Sequence, residues 1–309
     1  MSEKIISASR RTDIPAFYTP WLMNRIHAGF CVYPNPLYPH KFYRVSLRKQ
    51  DVLGIVFWTR HPAPLIPHLP ELDKAGFAYY FQYTVVGYPR TIDVRSPSLD
   101  AAIKTFCDLS RHIGPDRTIW RYDPIILNRE LTTSWHQDNF RRIADALAQA
   151  THRLVVSIID PYARTQRRVG TSDDGVAYSP DAYVALLRWI VAEAAARSLR
   201  VQSCAESSLA VTGITPGSCV DAALLYSLAG RQPPSRLRLH KQREGCLCHQ
   251  SVDIGVNDSC GFGCLYCYAT TSHDRAMETL KRHQSEWTCI TQDVQMVSPD
   301  DGAEQQMLL

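Results

Sequence analysis

Lys4-Ile5-Ile6-Ser7-Ala8-Ser9-Arg10-Arg11-Thr12-Asp13 starts as a short apolar strand and ends in charge. The same pattern recurs along the chain. Lys4–Ser9 reads as a first strand with a helix at Tyr18–Ala28, and Val52–Trp58 as a second with a helix near Pro70–Ala75. Ala78–Val85 precedes a helix at Leu99–His112, and Thr118–Tyr122 one at Ser134–Ala150. Leu154–Ile159 precedes a long helix at Pro180–Ser198, and Arg200–Ser203 is followed by a last helix at Ser218–Gly230. Strand–helix units in series call for a parallel sheet, because each helix returns the chain to start a neighbouring strand. The expected fold class is therefore α/β, a TIM-like (β/α) barrel that is closed or partial. An open doubly wound sheet is the alternative. Lys41–Leu47 reads as a hairpin strand outside the series.

Every strand of the series runs out into polar residues: Arg10, Arg11 and Asp13 after the first, Arg60 after the second, Gln82-Tyr83-Thr84 at the end of the third. Arg121 and Asp123 come after the fourth, Asp160-Pro161-Tyr162 after the fifth, and Cys204 with Glu206 after the sixth. In a parallel barrel these ends share one face, where catalytic groups are built. Arg11, Asp13, Arg121, Asp123 and Glu206 are the candidate catalytic residues, and Arg10 and Arg60 candidates for cofactor binding. Arg11 and Arg121 are the preferred anion-binding pair, since a guanidinium fork matches a carboxylate or phosphate. The plainer reading is helix caps and turns, which suits Asp13 before Ile14-Pro15 and Asp123 before Pro124.

Near the C-terminus stands Cys260-Gly-Phe-Gly-Cys264-Leu-Tyr-Cys267. Three thiolates at this spacing suit three irons of a [4Fe–4S] cube, leaving the fourth iron open or bound by a distant ligand. A zinc knuckle is the alternative, although zinc favours paired C-x2-C units. Cys204, Cys219, Cys246 and Cys248 form a second set, matching a further Fe–S cluster, a zinc ion or a closing ligand for the first cube. Small buried hydrophobes are the simpler reading for Cys204 and Cys219. Cys31, Cys107 and Cys289 stand alone, Cys107 in a core helix and Cys289 in a tail. His249 and His273 flank the cysteine region. Asp253 is positioned to accept backbone N–H bonds before the loop, and Gly255 to permit a left-handed turn.

The composition narrows the classes. Ten Cys in 309 residues do not suggest a disulfide scaffold, no signal peptide is expected, and no window approaches a membrane span. A cytoplasmic protein without membrane contact is expected. A net charge of +4 does not by itself argue for nucleic acid. The expected organisation is a barrel domain over 1–240, a Cys-rich Fe–S segment packed on it over 241–283, and a flexible tail over 284–309.

The spacing of Cys260, Cys264 and Cys267, with Tyr266 before the last, resembles the radical S-adenosylmethionine (SAM) motif. That resemblance implies an open iron that chelates SAM, with Tyr266 at the cofactor. The order differs from those enzymes: the loop comes after the last strand, and no glycine-rich segment stands after Trp58. Ser7 to Ala16, Val56 to Arg60, Arg121-Tyr122-Asp123-Pro124 and Asp253-Ile254-Gly255 ahead of the cysteines resemble a bacterial family, the domain of unknown function numbered 1848. Three functions are expected on these grounds: a radical-SAM-like or reductive Fe–S enzyme, an Fe–S electron-transfer protein without SAM, or a metal-stabilised binding protein for a partner such as nucleic acid. A redox role implies a donor such as a flavodoxin or ferredoxin. The substrate class, small molecule or macromolecule, stays open.

Overall fold

A computed structural model describes residues 3–159, 165, 168–170, 179–204, 209, 212–240 and 245–295. Its strands are β1 (Lys4–Ala8), β2 (Phe30–Pro34), β3 (Phe42–Ser46), β4 (Val52–Thr59), β5 (Tyr79–Thr84), β6 (Thr118–Ile125), β7 (Arg153–Ile158), β8 (Arg200–Cys204), β9 (Thr215–Gly217) and β10 (Val252–Asp253). The helices are α1 (Ile14–Phe17), α2 (Thr19–Ala28), α3 (Leu69–Lys74), α4 (Leu99–Ile113), α5 (Thr133–Leu147), α6 (Pro180–Ala195), α7 (Ala222–Leu228) and α8 (His273–Arg282).

Eight strands form one parallel sheet in the order β10-β1-β4-β5-β6-β7-β8-β9. From β1 to β9 that order is sequential and never reverses, unlike the doubly wound alternative. Crossovers of one hand then bring their helices to one face. Among the described residues no ladder joins the outer strands β9 and β10, so the sheet is described as open rather than as a closed barrel. The backbone leaving β9 nevertheless meets the backbone approaching β10, where His249 N donates to Val220 O at 3.0 Å.

Register separates the two faces. Ile55, Tyr79 and then Phe57, Phe81 sit side by side on one face, followed by Tyr83, Trp120 and Leu154. These pack with Phe106 and Leu109 of α4, Phe140 and Ile143 of α5, and Leu187 and Ile190 of α6. Each helix starts where a side chain satisfies an orphan N–H: Ser98, Thr132 and Ser179 cap α4, α5 and α6. The opposite face carries the rows Ser7, Val56, Tyr80; then Trp58, Gln82, Ile119; then Thr84, Arg121, Val155. Its apolar half is covered by Val220, Ala222 and Leu225 of the α7 segment. Its polar half, nearer the C-terminal strand ends, faces a cavity.

Several expected boundaries shift. The helix expected at Tyr18–Ala28 is preceded by a separate turn, α1, and the one expected at Ser218–Gly230 shortens to α7. The segment around Lys41–Leu47 does form a hairpin strand, β3, paired antiparallel with β2. The Cys-rich segment contributes β10 to the main sheet, because Val252 and Asp253 pair with Ile6 and Ser7. Residues 284–295 do not hang free as a tail. Trp21 Nε1 donates to Trp287 O at 2.8 Å and Val32 N to Thr288 O at 2.8 Å, and Cys289 and Ile290 are fully buried. Trp21 and Val32 are themselves buried, so their N–H groups need acceptors, and this segment supplies them. Residues 296–309 lie outside the described set.

Candidate functional site

The C-terminal strand ends surround a cavity of about 450 Å³. It is lined by Arg10, Arg11, Asp13, Arg60, Arg121 and Asp123 from the strand ends, and by Tyr266. Both cysteine sets line it as well: Cys260, Cys264 and Cys267, together with Cys204, Cys219, Cys246 and Cys248. Glu206 and Asp160-Pro161-Tyr162 lie outside the described residues.

Asp253 joins the cysteine loop to β1. Its carboxylate accepts from Ser7 Oγ at 2.8 Å, Ser9 Oγ at 2.6 Å, Arg10 N at 2.9 Å and Gly255 N at 3.0 Å. Arg10 Nε and Arg11 Nη1 complete the cage at 3.4 and 3.7 Å. Burial alone would raise this carboxyl, but Arg11, Arg10 and the Ser9 hydroxyl outweigh it and hold it below its ordinary value. Arg10 and Arg11 are thus partly spent on Asp253. Gly255 is glycine for space rather than for a left-handed turn, because a Cβ there would lie 1.9 Å from Ser9 Oγ. The left-handed residue is Gly263, at φ +69°, inside the cysteine loop.

The loop is held from three sides. Tyr18 Oη donates to Ser259 O at 2.6 Å, Leu265 N to Ile92 O at 3.0 Å, and Arg95 N to Phe262 O at 3.1 Å. Asp93, which nothing in the local sequence singles out, is the main anchor. It is 2% exposed, accepts from Tyr266 Oη at 2.8 Å, and is bonded by Arg60 Nη2, while Arg60 Nη1 meets Tyr266 Oη. Arg60 therefore acts first as a structural cation under Cys264. Burial opposes its charge, but Asp93, Tyr266 and Cys264 raise it well above its ordinary value.

Asp13 is the N-cap of α1, accepting from Ala16 N at 3.0 Å. It also accepts from Thr59 Oγ1 at 2.7 Å and Arg60 N at 2.6 Å. Burial outweighs these donors and pushes its carboxyl up to about 7. It also faces Cys260, whose thiol is pushed up to about 12 by burial first and then by Asp13 and Cys267. Cys264 rises too, chiefly through burial, with Arg60 pulling back.

Arg121 differs from its expected role. Its Nη2 binds Asp123 Oδ2 at 2.6 Å, and its Nη1 donates to Gln82 Oε1 at 3.2 Å and to Cys219 Sγ at 3.1 Å. The fork expected to grip a ligand anion is already engaged by its own neighbours, because strand alternation points Gln82, Arg121 and Asp123 to the same face. Asp123 is further bonded by Ser157 Oγ. Cys204, Cys219, Cys248 and Cys246 are successive neighbours, each thiol shifted by the next. Cys204 is pushed up by its Cys219 neighbour first and by burial second.

None of the ten cysteines is in a disulfide. Among the described residues, no group of three or more His, Cys, Asp or Glu side chains stands gathered so as to hold a metal ion. Three buried polar atoms of cavity-lining residues have no hydrogen-bond partner: Thr12 Oγ1, Trp58 Nε1 and Arg60 Nε. Sequence reading passes over Thr12 and Trp58, since an unpartnered atom is a property of the folded surroundings alone. Cys107 sits in α4 as expected, but packs partly buried against the core rather than inside it. His249 is taken up by backbone bonds to Val220 and Ala222. His273 packs beside Gly263 with neither ring nitrogen partnered.

The fold and site define a parallel α/β protein with a cysteine-lined cavity at its strand ends, bordered by arginine–aspartate pairs. The chain belongs to the family described as Domain of unknown function (DUF1848), whose profile matches residues 5–269. No curated protein matches it. Among the described residues no helix is long and apolar enough to cross a membrane.

Proposed function

We propose that the chain is an iron–sulfur enzyme that acts on a ligand held in the cavity at the strand ends. Cys260, Cys264 and Cys267 would hold a [4Fe–4S] cluster, and SAM is the proposed partner of its open iron. The observation that carries this reading is that the three loop sulfurs line the same cavity as the charged strand ends. The donor set fits by chemistry, since three thiols outside any disulfide face a single chamber from one loop. When bound, the cluster supplies one electron at the cavity wall.

The remaining work falls to the protein. Trp58 Nε1 and Arg60 Nε are obligate donors without partners, so they favour a ligand that presents acceptor oxygens. Arg11, paired with Asp253 only at 3.7 Å, is the guanidinium best able to turn toward an anion. Asp13, with its carboxyl raised to about 7, can hold or release a proton beside Cys260 at neutral pH. The sheet itself is read as a nearly closed barrel, supported by the His249–Val220 bond across its gap. A reducing cytoplasmic compartment and a flavodoxin- or ferredoxin-type donor complete the proposal.

Anaerobic reconstitution with iron and sulfide, followed by EPR of the reduced protein with and without SAM, tests it. A [4Fe–4S] signal that SAM perturbs is expected. A signal that SAM leaves unchanged would reduce the chain to an electron carrier. Wild-type iron and sulfide in a Cys260→Ala/Cys264→Ala/Cys267→Ala variant would end the cluster assignment.

A further inference from the structure

We infer that Cys204, Cys219, Cys246 and Cys248 form a second, separate site for a single tetrahedral metal ion of the zinc class. The inference does not rest on the cluster reading, because none of these four residues belongs to the cysteine loop.

Cys204 ends β8, Cys219 comes just after β9, and Cys246 and Cys248 precede β10. Tertiary structure alone brings these segments together. Cys219, Cys246 and Cys248 are only 1%, 4% and 5% exposed, yet none of the four cysteines is in a disulfide. All four line the one cavity, and their thiols influence one another in the order Cys204, Cys219, Cys248, Cys246.

Two N–H groups already point at these sulfurs. Arg121 Nη1 donates to Cys219 Sγ at 3.1 Å, and Val220 N donates to Cys248 Sγ at 3.4 Å. A neutral thiol is a weak acceptor, whereas a metal-bound thiolate recruits such donors, which orient it and offset its charge. Arg121 is buried and firmly held by Asp123, so its charge is fixed in place for this purpose.

Four thiols from three segments match the four-thiolate shell of a single zinc-class ion, whereas in a cube each cysteine sulfur caps its own iron. As they stand, no three of these side chains are gathered around one point, so binding must draw in the two ends of the row, Cys204 and Cys246. An ion held there would tie the edge after β9 to the edge before β10, where no ladder does so among the described residues.

The test uses a Cys260→Ser/Cys264→Ser/Cys267→Ser variant, which keeps only the second set. It should retain about one zinc per chain. Replacing zinc with Co(II) should give the intense ligand-field bands and sulfur-to-cobalt charge transfer of a tetrahedral thiolate site. Adding Cys219→Ser/Cys248→Ser should abolish both. In the wild-type chain, mass spectrometry should find the four cysteines shielded from an alkylating reagent until a chelator is added. That measurement stands even if a variant fails to fold. No retained ion in the triple variant, zinc that survives Cys219→Ser/Cys248→Ser, or alkylation indifferent to chelator would each overturn the inference. Iron with matching sulfide on these four residues would overturn the single-ion assignment.

Discussion

Cys260, Cys264 and Cys267 come from one short loop, whereas Cys204, Cys219, Cys246 and Cys248 come from three segments that meet at the gap between β9 and β10. The loop sulfurs are positioned indirectly: Asp253 fixes the approach to the loop, and the Arg60–Asp93–Tyr266 cluster fixes its far side. Among the dispersed sulfurs, Cys219 and Cys248 are positioned by direct donors from Arg121 and Val220. A half-buried loop thus needs a rigid frame beneath it, whereas a buried set needs charge compensation at the sulfur itself.

The largest expected effect comes from breaking the frame. Asp253→Ala leaves Arg10 and Arg11 without their shared carboxylate and should cost about 3–5 kcal/mol, the range for breaking a buried charged cluster. Urea unfolding measures it. The pH arm of the same experiment separates two carboxyls beside the loop. Asp253 is held below its ordinary 3.8, so its stabilisation is complete above that pH and disappears as pH falls through the lower folded value. Asp13 is raised from 3.8 to about 7, so its stabilisation is present below pH 3.8 and lost as pH climbs through about 7. Metal-free protein should therefore lose stability between about pH 4 and 7 in a way that Asp13→Asn abolishes. An unchanged slope in that variant would contradict the assignment.

Gly255→Ala should cost about 3 kcal/mol, the upper end for overpacking, because the new Cβ would displace the Ser9 hydroxyl that binds Asp253. The melting temperature should fall. If it rises, the close approach is not what requires glycine there.

Arg121→Gln sharpens the comparison from the other side. It removes the donor to Cys219 and should weaken Co(II) binding to the dispersed set by about 10–100-fold, the usual effect of losing a partner of a metal ligand. Iron loading of the cysteine loop should not change. Equal losses at both sets would mean that Arg121 only supports the fold.

The smallest effect is expected for Tyr266→Phe, which deletes the hydroxyl given to Asp93 and should cost about 1 kcal/mol. The EPR line shape of the reconstituted loop should respond more than the stability does, since the ring packs over Arg60 beside Cys264.

Local information was enough for much of this. Short apolar runs such as Lys4–Ser9 and Val52–Trp58, alternating with helical patterns, dictated a parallel sheet, because a strand that must return through a helix pairs parallel. The spacing of Cys260, Cys264 and Cys267 was visible for the same reason: a loop this short keeps its side chains together whatever surrounds it. The polar strand ends were legible too, since parallel strands put like ends together. Tertiary structure decided the rest. It spent Arg121 on Asp123 and Cys219, made Gly255 a matter of space against Ser9, and docked residues 284–295 on α2. It also drew Asp93 beneath the loop and lined four distant thiols along one seam. Each depends on which residues from remote segments come within a few ångströms, and sequence separation carries no record of that distance.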